Sequence, residues 1–373
     1  MLPPVQDAPF DLGRNMSVGA AQGRALGEAL AEIAGRGALE NLLRYMPLGG
    51  HPEHRASAAR WLARRGIDVP AEHIVQTCGA QHGLAVAASA LTAPGDTVLV
   101  EGLTYTGVLD TAAFVGRRVA GVAIDEEGMM PEALDRAARQ SGARVVVVVP
   151  TIHNPTTAVM GEARRRAFVE VARARDLLIV EDDVYGLLPE ENPTPIATLA
   201  PERTIYLTSA SKSLAPGLRV GWAAAPAEIA PRLASAAFAS TVAQPALNHE
   251  IARLWIENGT ADRLVAELRA ELKARQALAA QILAGFKLRG HPVSFHALLY
   301  VPDTWPATSF AEAASARGVR VTPAVMFATE RSFAPNAVRI ALAAASDRAM
   351  LREALGILAV LLQAGQRPAR AVV

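Results

Sequence analysis

The chain has 373 residues, of which 51% are hydrophobic and 20% charged, and its formal net charge is +1 at pH 7. This composition supports a sizeable core, and the near-neutral charge gives no general case for binding nucleic acid or an acidic membrane surface. The single cysteine, Cys78, excludes an internal disulfide framework and a multi-cysteine zinc site. We find no signal peptide and no apolar run of about 18 residues, and therefore expect a cytoplasmic protein with no membrane partner.

In chain order, the sequence predicts an arm, then strands that alternate with helices, then a long helix and a mixed C-terminal region. Pro and Gly interrupt residues 1–20, which we expect to cross the surface as an arm. Apolar spacing near 3.6 residues predicts helices at 24–34, 53–65, 81–91, 105–114, 131–140, 162–175, 262–283 and 347–362. Apolar and β-branched runs predict strands at 74–77, 98–100, 118–124, 145–149, 177–180, 204–208, 220–225, 295–301, 319–322 and 338–342.

The alternation of strands and helices predicts parallel βαβ units and a doubly wound α/β sheet. The five consecutive valines at 145–149 are typical of a strand buried on both faces. We assign residues 46–250 to this large domain and residues 251–373 to a smaller α/β domain. Residues 1–45 are expected to add an arm and a helix to the small domain. Ligands of such sheets bind at the carboxyl ends of the strands, so candidate residues are sought there.

Lys212 lies within TSASKSLAPGLRVGW, residues 208–222, on the loop between two predicted strands. Its amine can form a Schiff base with an aldehyde, which is the chemistry of lysine in pyridoxal-phosphate enzymes. The hydroxyls of Ser209 and Ser211 and the guanidinium of Arg219 are suited to hold that cofactor's phosphate. The alternative is a solvated surface lysine, and this stretch alone does not decide between the two.

Two further turns follow predicted strands. Gly79-Ala80-Gln81 opens a helix, and the free N–H groups of a helix start favour a phosphate, although small residues there also serve packing. His153-Asn154-Pro155-Thr156 follows the valine strand. The Asn154 amide is suited to donate to a phenolic oxygen on a bound ring, and an ordinary Asn-Pro turn is the alternative.

Three acids, Glu181, Asp182 and Asp183, end the strand predicted at 177–180 and precede Tyr185. A carboxylate at this position can pair with a protonated ring nitrogen and make the ring a better electron sink. A metal site is the alternative. We expect no metal, because neighbouring strand residues point to opposite faces and no histidine cluster accompanies the acids.

Tyr105 and Arg339 complete the set of candidates. Tyr105 follows the strand at 98–100 and is suited to stack on a flat ring, while a core or surface tyrosine is the alternative. Arg339 lies in a late apolar strand, where a guanidinium needs an anion. A substrate carboxylate fits its bidentate fork, and a structural Asp or Glu is an equal alternative.

In order and spacing these residues closely resemble the fold-type I pyridoxal-phosphate aminotransferases of class I and II over nearly the whole chain. The likeness is greatest to the branch with α-aminoadipate and kynurenine aminotransferases and the aminotransferase-like domains of MocR-type regulators. Arg44-Tyr45, the run Gly49–Arg55 and Gly79-Ala80-Gln81-His82 are especially similar to the regulator branch.

The resemblance implies roles around the ring of pyridoxal 5'-phosphate. Lys212 would carry the cofactor as a Schiff base and move the Cα proton, and Asp182 would keep the pyridine nitrogen protonated. Tyr185 and Asn154 would bond the ring oxygen, and Tyr105 would stack on the ring.

It also implies how the phosphate and the substrate are bound. The residues around the phosphate would be Gly79, Ala80, Gln81, Ser209, Ser211 and Arg219, with Tyr45 arriving from a second subunit. This implies a homodimer whose active site is shared between subunits. Arg339 would clamp the substrate α-carboxylate, and Asn154 is counted with it among the substrate-binding residues. Apart from the resemblance, we expect Asn15 and Met16 of the arm, with His153, to border the side-chain pocket.

Two features depart from the family. Thr157 follows Asn154-Pro155-Thr156 where the family usually has glycine, so we expect an altered loop. The family-like region begins near residue 10, which leaves no room in this sequence for the winged-helix domain of MocR-type regulators.

The leading prediction is an aminotransferase that moves an amino group from an L-amino acid to a 2-oxo acid. One alternative is another pyridoxal-phosphate enzyme on the same scaffold, namely a lyase, decarboxylase, racemase or oxidase. Another is a non-catalytic ligand-sensing module related to the MocR-type regulators. The near-neutral charge argues against direct binding to nucleic acid in any of these cases.

Overall fold

The structure, a computed structural model, describes residues 9–16, 20–37 and 39–366. The predicted arm of residues 1–20 therefore falls partly outside the described residues. Within these ranges, no helix combines the length and the apolar character needed to span a membrane.

Twelve α-helices and fifteen β-strands are described. The helices are α1 Ala20–Arg36, α2 Pro52–Ala63, α3 Ala80–Leu91, α4 Thr106–Phe114, α5 Pro131–Ser141, α6 Glu162–Ala174, α7 Ile196–Leu199, α8 Ala230–Thr241, α9 Ala246–Glu257, α10 Thr260–Ile282, α11 Ala307–Ser315 and α12 Arg348–Gln366. The strands are β1 Phe10–Asp11, β2 Ile74–Thr77, β3 Thr97–Glu101, β4 Arg118–Val122, β5 Ile124–Asp125, β6 Gly128–Met129, β7 Val145–Val148, β8 Leu178–Asp182, β9 Thr204–Ser209, β10 Gly221–Ala224, β11 Leu288–Gly290, β12 Ala297–Tyr300, β13 Val319–Arg320, β14 Thr322–Pro323 and β15 Ala337–Ile340.

A seven-stranded sheet with the order β2-β10-β9-β8-β7-β3-β4 forms the centre of the protein. The strands β4, β3, β7, β8 and β9 are parallel to their neighbours, and β10 runs antiparallel to both β9 and β2. The predicted α/β fold is confirmed. Because β2 runs in the same direction as β9, the carboxyl ends of six strands lie at one edge of the sheet.

The valine strand β7 shows why the sheet is buried on both faces. Val145 and Val147 belong to one hydrophobic cluster, which includes residues of α3 and α8. Val146 and Val148 belong to another, which includes Leu134 of α5 and residues of α6. Successive side chains of a strand point to opposite faces, so a continuous apolar run needs helices on both sides.

A second, four-stranded antiparallel sheet follows α10, with the order β11-β12-β15-β14. The predicted strand at 319–322 is two short strands, β13 and β14. Val321 separates them, and β13 pairs with β1 of the arm while β14 pairs with β15. The sequence reasoning also missed β1, β6, β11, α7, α8, α9 and α11.

The first described segments contact two different parts of the protein. Strand β1 pairs in parallel with β13, whereas Ala25, Ala29 and Ile33 of α1 pack in a cluster with Trp61 and Trp255. The division into three segments at residues 45 and 250 stays a prediction.

Candidate active site

A cavity of about 560 Å³ lies at the edge of the seven-stranded sheet where the parallel strands end. Residues that follow β2, β3 and β7, or that end β8 and β9, line it. This is where the topology predicts a ligand. Thirteen of the predicted site residues line the cavity: Asn15, Met16, Ala80, Gln81, Tyr105, Asn154, Asp182, Tyr185, Ser209, Ser211, Lys212, Arg219 and Arg339.

Three other predicted residues lie outside the lining. Gly79 lies directly beside it with φ +83°, and a Cβ there would come 2.8 Å from Nη2 of Arg219. Tyr45 is 84% exposed, and its entry into a second subunit's site stays a prediction. His153 is buried, and its Nδ1 lies 2.8 Å from Oγ1 of Thr156.

The cavity lining includes groups suited to bind a phosphate. Helix α3 begins at Ala80, so its first N–H groups have no partner within the helix and form the positive end of its dipole. Arg219 adopts a left-handed backbone (φ 53°, ψ 38°), and its Nη2 donates to the carbonyl of Cys78 at 2.8 Å. Ser209 and Ser211 add hydroxyls to the same lining.

The Gln81 side chain forms hydrogen bonds with α4. Its Nε2 donates to the carbonyl of Gly107 at 2.8 Å and to Oγ1 of Thr111 at 2.6 Å. A Cβ at Gly107 would lie 2.3 Å from Cε1 of Tyr105, so glycine permits this close packing. The group that Gln81 retains for an anion is therefore its backbone N–H.

Asp182 of the same lining has a carboxylate oxygen without a partner. Among the described residues nothing bonds its Oδ1, although the atom is buried. Burial, together with the charge of Asp183, raises the pKa of Asp182 to about 7, while the Val184 N–H and Lys212 oppose this. A buried acceptor without a donor is costly, and a protonated ring nitrogen is a donor that satisfies it.

The two acids beside Asp182 have different partners. Asp183 accepts from Nε of Arg65 at 2.9 Å and from the Tyr206 hydroxyl at 3.1 Å. Glu181 accepts the N–H groups that begin α7. The three carboxylates therefore do not converge, as the alternation along a strand predicts, and the described ranges contain no cluster of metal ligands.

Lys212 faces the cavity, so the surface-lysine alternative is wrong. Its Nζ donates to the carbonyl of Asn15 at 2.6 Å and lies 5.5 Å from the centre of the Phe295 ring. Burial lowers the pKa of Lys212 to about 8, and the charges of Arg339 and Arg219 contribute. An amine with this pKa is deprotonated, and hence nucleophilic, in a larger fraction at neutral pH.

The arm residue Asn15 also contacts two rings. Its Nδ2 donates to the Tyr185 hydroxyl at 3.2 Å and lies 2.9 Å from Nδ1 of His296. His296 is fully buried directly before β12. The sequence reasoning missed it, because its position in the apolar run predicted as a strand at 295–301 gives no signal beyond that of a core residue.

Arg339 is buried without an acidic partner in the described ranges, which excludes a structural Asp or Glu there. Nη1 donates to Oδ1 of Asn154 at 2.9 Å, Nη2 donates to the carbonyl of Gly13 at 2.5 Å, and Nε has no partner. The guanidinium lies 4.6 Å from the centre of the Phe327 ring. Burial lowers the pKa of Arg339 to about 10, so it remains a cation at neutral pH.

The rest of the lining is mostly apolar and was not predicted. The lining residues that the sequence reasoning missed are Gly13, Arg14, Thr106, Leu109, Asp110, Val149, Val184, Pro216, Thr322, Met326 and Phe327. They lie beside the predicted turns or come from the region that contains β14 and β15, and no motif distinguishes them.

These groups fit pyridoxal 5'-phosphate. The unpartnered Oδ1 of Asp182 suits its ring nitrogen, and the helix start at Ala80 with Arg219 suits its phosphate. Lys212 supplies an amine to the same cavity lining.

Comparisons with known proteins agree with this geometry. The family model "Aminotransferase class I and II" matches residues 10–358. The chain is similar to kynurenine aminotransferase from Pyrococcus horikoshii (26% identity, TM-score 0.87, 96% of this chain and 92% of that one). It is also similar to LysN, the α-aminoadipate aminotransferase from Thermus thermophilus (26% identity, TM-score 0.85, 95% and 92%).

A further relative is a regulator. The chain is 29% identical over 307 residues to the uncharacterized HTH-type transcriptional regulator YdeF of Bacillus subtilis, covering 82% of this chain and 66% of YdeF. It spans 40% to 49% of the length of three more HTH-type regulators. The predicted resemblance to both groups is confirmed. The chain belongs to the class I and II aminotransferases, a family of enzymes of fold type I whose cofactor is pyridoxal 5'-phosphate.

Proposed function

We propose that this protein is an aminotransferase that moves an amino group from an L-amino acid to a 2-oxo acid through a Schiff base on Lys212. One observation carries the proposal: the Lys212 amine and the unpartnered carboxylate oxygen of Asp182 line the same cavity at the carboxyl ends of the strands. The family and the kynurenine and α-aminoadipate aminotransferases that resemble the chain support it.

Pyridoxal 5'-phosphate, when bound, supplies an aldehyde that condenses with an amine and a ring that withdraws electrons from the attached carbon. Oδ1 of Asp182 would accept a hydrogen bond from the protonated ring nitrogen. Tyr185 and Nδ2 of Asn154 would donate to the ring oxygen, and Tyr105 would stack on the ring. The backbone N–H groups of Ala80 and Gln81, with Gly79 beside them, would hold the phosphate together with the side chains of Ser209, Ser211 and Arg219.

The substrate would be positioned by Arg339 and deprotonated by Lys212. Guanidinium groups bind carboxylates in a planar, bidentate way, so Arg339 suits the α-carboxylate of an amino acid. The same group already bonds Asn154 and the carbonyl of Gly13, which places the carboxylate beside the arm. Nζ of Lys212 would then take the proton from Cα and return it at the acceptor carbon.

The lysine content of the chain allows a direct test. Lys212, Lys273 and Lys287 are the three lysines, and the last two are exposed, which makes them internal controls. The protein is incubated with pyridoxal 5'-phosphate, reduced with borohydride and digested. We expect the cofactor on the Lys212 peptide alone, and pyridoxamine 5'-phosphate after exposure of the unreduced protein to a panel of amino acids. Label on all three lysines, or no aminated cofactor, contradicts the proposal.

A second candidate function is a ligand-sensing module, which the similarity to YdeF favours. Such a module would use the same cavity to bind an amino acid with the cofactor, without turnover. Release of a 2-oxo acid over many cycles with an added acceptor excludes it. Product analysis without an added 2-oxo acid separates transamination from lyase, decarboxylase, racemase or oxidase chemistry.

We also propose a homodimer in which Tyr45 reaches the partner's cavity. Its support is a set of exposed apolar side chains on the segment around Tyr45, namely Leu39, Leu43 and Leu48. Light scattering tests the oligomeric state. The Tyr45→Phe variant tests the contact: we expect weaker cofactor binding with the dimer retained, and unchanged binding contradicts it.

A further inference from the structure

His296 lies outside the cavity lining but contacts a residue that lies in it. It is fully buried, and its two ring nitrogens have different partners. Nε2 lies 3.3 Å from the carbonyl oxygen of His153, and Nδ1 lies 2.9 Å from Nδ2 of Asn15. The ring thus joins the turn after β7 to the arm.

These contacts determine where the hydrogen on the ring is. A backbone carbonyl only accepts hydrogen bonds, so Nε2 of His296 carries the hydrogen that it donates to His153. Nδ1 is then an acceptor. Because Nδ1 must receive a hydrogen, the group of Asn15 that faces it is the NH₂ group and not Oδ1.

The orientation of the Asn15 amide in turn determines what Tyr185 does. Nδ2 has two hydrogens, and the second points to the Tyr185 hydroxyl at 3.2 Å. The hydroxyl oxygen therefore accepts, and its own hydrogen remains for another acceptor. Burial raises the pKa of Tyr185 to about 12, so the hydroxyl keeps that hydrogen near neutral pH. Among the described residues no acceptor bonds it, and Tyr185 lines the cavity.

We propose that His296 is a positioning residue which, through Asn15, directs the hydroxyl hydrogen of Tyr185 into the cavity toward the ring oxygen of the cofactor. This inference rests on the proposed function, because it gives a direction to the hydrogen bond that Tyr185 would make there. Without His296 the side-chain amide of Asn15 is free to flip, which exchanges the positions of Oδ1 and Nδ2. Its Oδ1 would then accept the Tyr185 hydrogen, and the cofactor oxygen would lose a donor.

The charged groups near His296 and Lys212 are not altered by substitution of His296. His296 faces Arg339, His153 and Lys212, and burial with these neighbours keeps its pKa well below the ordinary histidine value, so the ring is neutral. Arg339, Arg219 and Asp182 are the charges that face Lys212. Because His296 is neutral, replacing it leaves these charges unchanged. A change at Lys212 in such a variant therefore reports the direction of the Tyr185 hydrogen bond.

The experiment measures the pH midpoint of the visible absorbance of the cofactor-loaded protein without substrate. A hydrogen bond from Tyr185 reduces the negative charge on the ring oxygen, and so makes the adjacent nitrogen joined to Lys212 lose its proton more easily. We expect His296→Phe and His296→Gln to raise the midpoint by about one pH unit, the usual effect of one hydrogen bond. His296→Asn should leave it near the parent value, because its Oδ1 takes the place of Nδ1.

A double-substitution cycle separates positioning from packing. In a Tyr185→Phe background, His296→Phe should cause no further shift, since the hydroxyl through which it acts is gone. His249→Phe is the matched control, because His249 is also buried but lies outside the cavity lining, and it should leave the midpoint unchanged. Should His296→Phe fail to fold, His296→Gln preserves the polar contact with His153 and gives the same test.

The possible failures are distinguishable. If the loaded protein shows the absorbance but His296→Gln leaves the midpoint unchanged, the inference about His296 is overturned and the proposed function stands. A full shift in the Tyr185→Phe background overturns it as well. If the parent protein forms no coloured adduct at Lys212, the proposed function itself fails.

Discussion

Nη1 of Arg339 donates to Oδ1 of Asn154 over 2.9 Å, and this bond joins β15 of the four-stranded sheet to the turn after β7. A guanidinium has no acceptor, so Oδ1 of Asn154 is occupied and its NH₂ group remains for a ligand. One buried cation thus orients the amide while its own Nε stays unpaired in the described structure. Any ligand that engages both groups must bridge the two sheets.

Arg339→Lys tests the role of the guanidinium. Lysine keeps a positive charge but loses the planar fork, so the α-carboxylate and Asn154 would both lose a charge-assisted hydrogen bond. We expect KM for the amino acid to rise about 10- to 100-fold, corresponding to about 1.5–3 kcal/mol, with the cofactor still bound. Arg331→Lys, at an exposed arginine, is the control. An unchanged KM would place the carboxylate elsewhere.

The two adjacent acids Asp182 and Asp183 permit a matched pair of substitutions. Asp182→Asn removes the negative charge that would face the ring nitrogen, and asparagine retains the shape. Losing one partner of a buried charge pair costs about 3–5 kcal/mol, so we expect kcat to fall by a factor of about 100 to 1000 or more. Because Oδ1 has no protein partner in the described structure, the cofactor-free protein should keep its stability.

Asp183→Asn should show the opposite pattern. Asp183 pairs with buried Arg65 and accepts from Tyr206, so its loss leaves a buried guanidinium unpaired. We expect the free energy of unfolding to fall by about 3 kcal/mol, with kcat changed less than in Asp182→Asn. Denaturant titration measures the free energy of unfolding of both variants, and steady-state kinetics measures their kcat. Equal losses of stability in the two variants would contradict the assignment of Asp182 to the ligand and of Asp183 to the structure.

The sequence predicts the residues that local pattern places at strand ends, and it misses those that distant segments bring there. Asp182 and Lys212 follow strongly apolar strands, and parallel strands end at a common edge, so their convergence follows from topology. The contact of Asn15 with His296 joins residues 281 positions apart and has no local signature. Helix α9 was missed for a related reason: seven of its twelve residues are buried, so polar residues mark its outer face only weakly.

The pKa of Lys212 predicts how cofactor uptake depends on pH. Only the neutral amine attacks an aldehyde, and burial lowers the pKa of Lys212 to about 8. Below pH 8 the rate of uptake by the cofactor-free protein should rise about tenfold per pH unit, and above pH 8 it should level off. Stopped-flow absorbance measures this rate of cofactor uptake. A rate that keeps rising to about pH 10 would indicate an amine with the ordinary lysine pKa of about 10.4.

Thr157 occupies a backbone conformation that favours glycine. Its φ is +61°, and its buried Oγ1 has no partner among the described residues. A β-branched residue in the left-handed region costs about 1–2 kcal/mol, and an unpaired buried hydroxyl adds to this. Glycine removes both costs but loses a methyl contact and about 0.5–1 kcal/mol of chain entropy. We therefore expect Thr157→Gly to raise the free energy of unfolding by about 1 kcal/mol.

Denaturant titration of Thr157→Gly measures this change, and Thr156→Ala is the matched neighbour. Thr156 uses its hydroxyl on Nδ1 of His153 and has no positive φ, so its truncation should lower the free energy of unfolding by about 1 kcal/mol. Opposite signs at adjacent threonines would locate the strain at position 157. A loss of stability in Thr157→Gly would mean instead that the methyl contacts of Thr157 outweigh its backbone strain, and that threonine is tolerated here for packing.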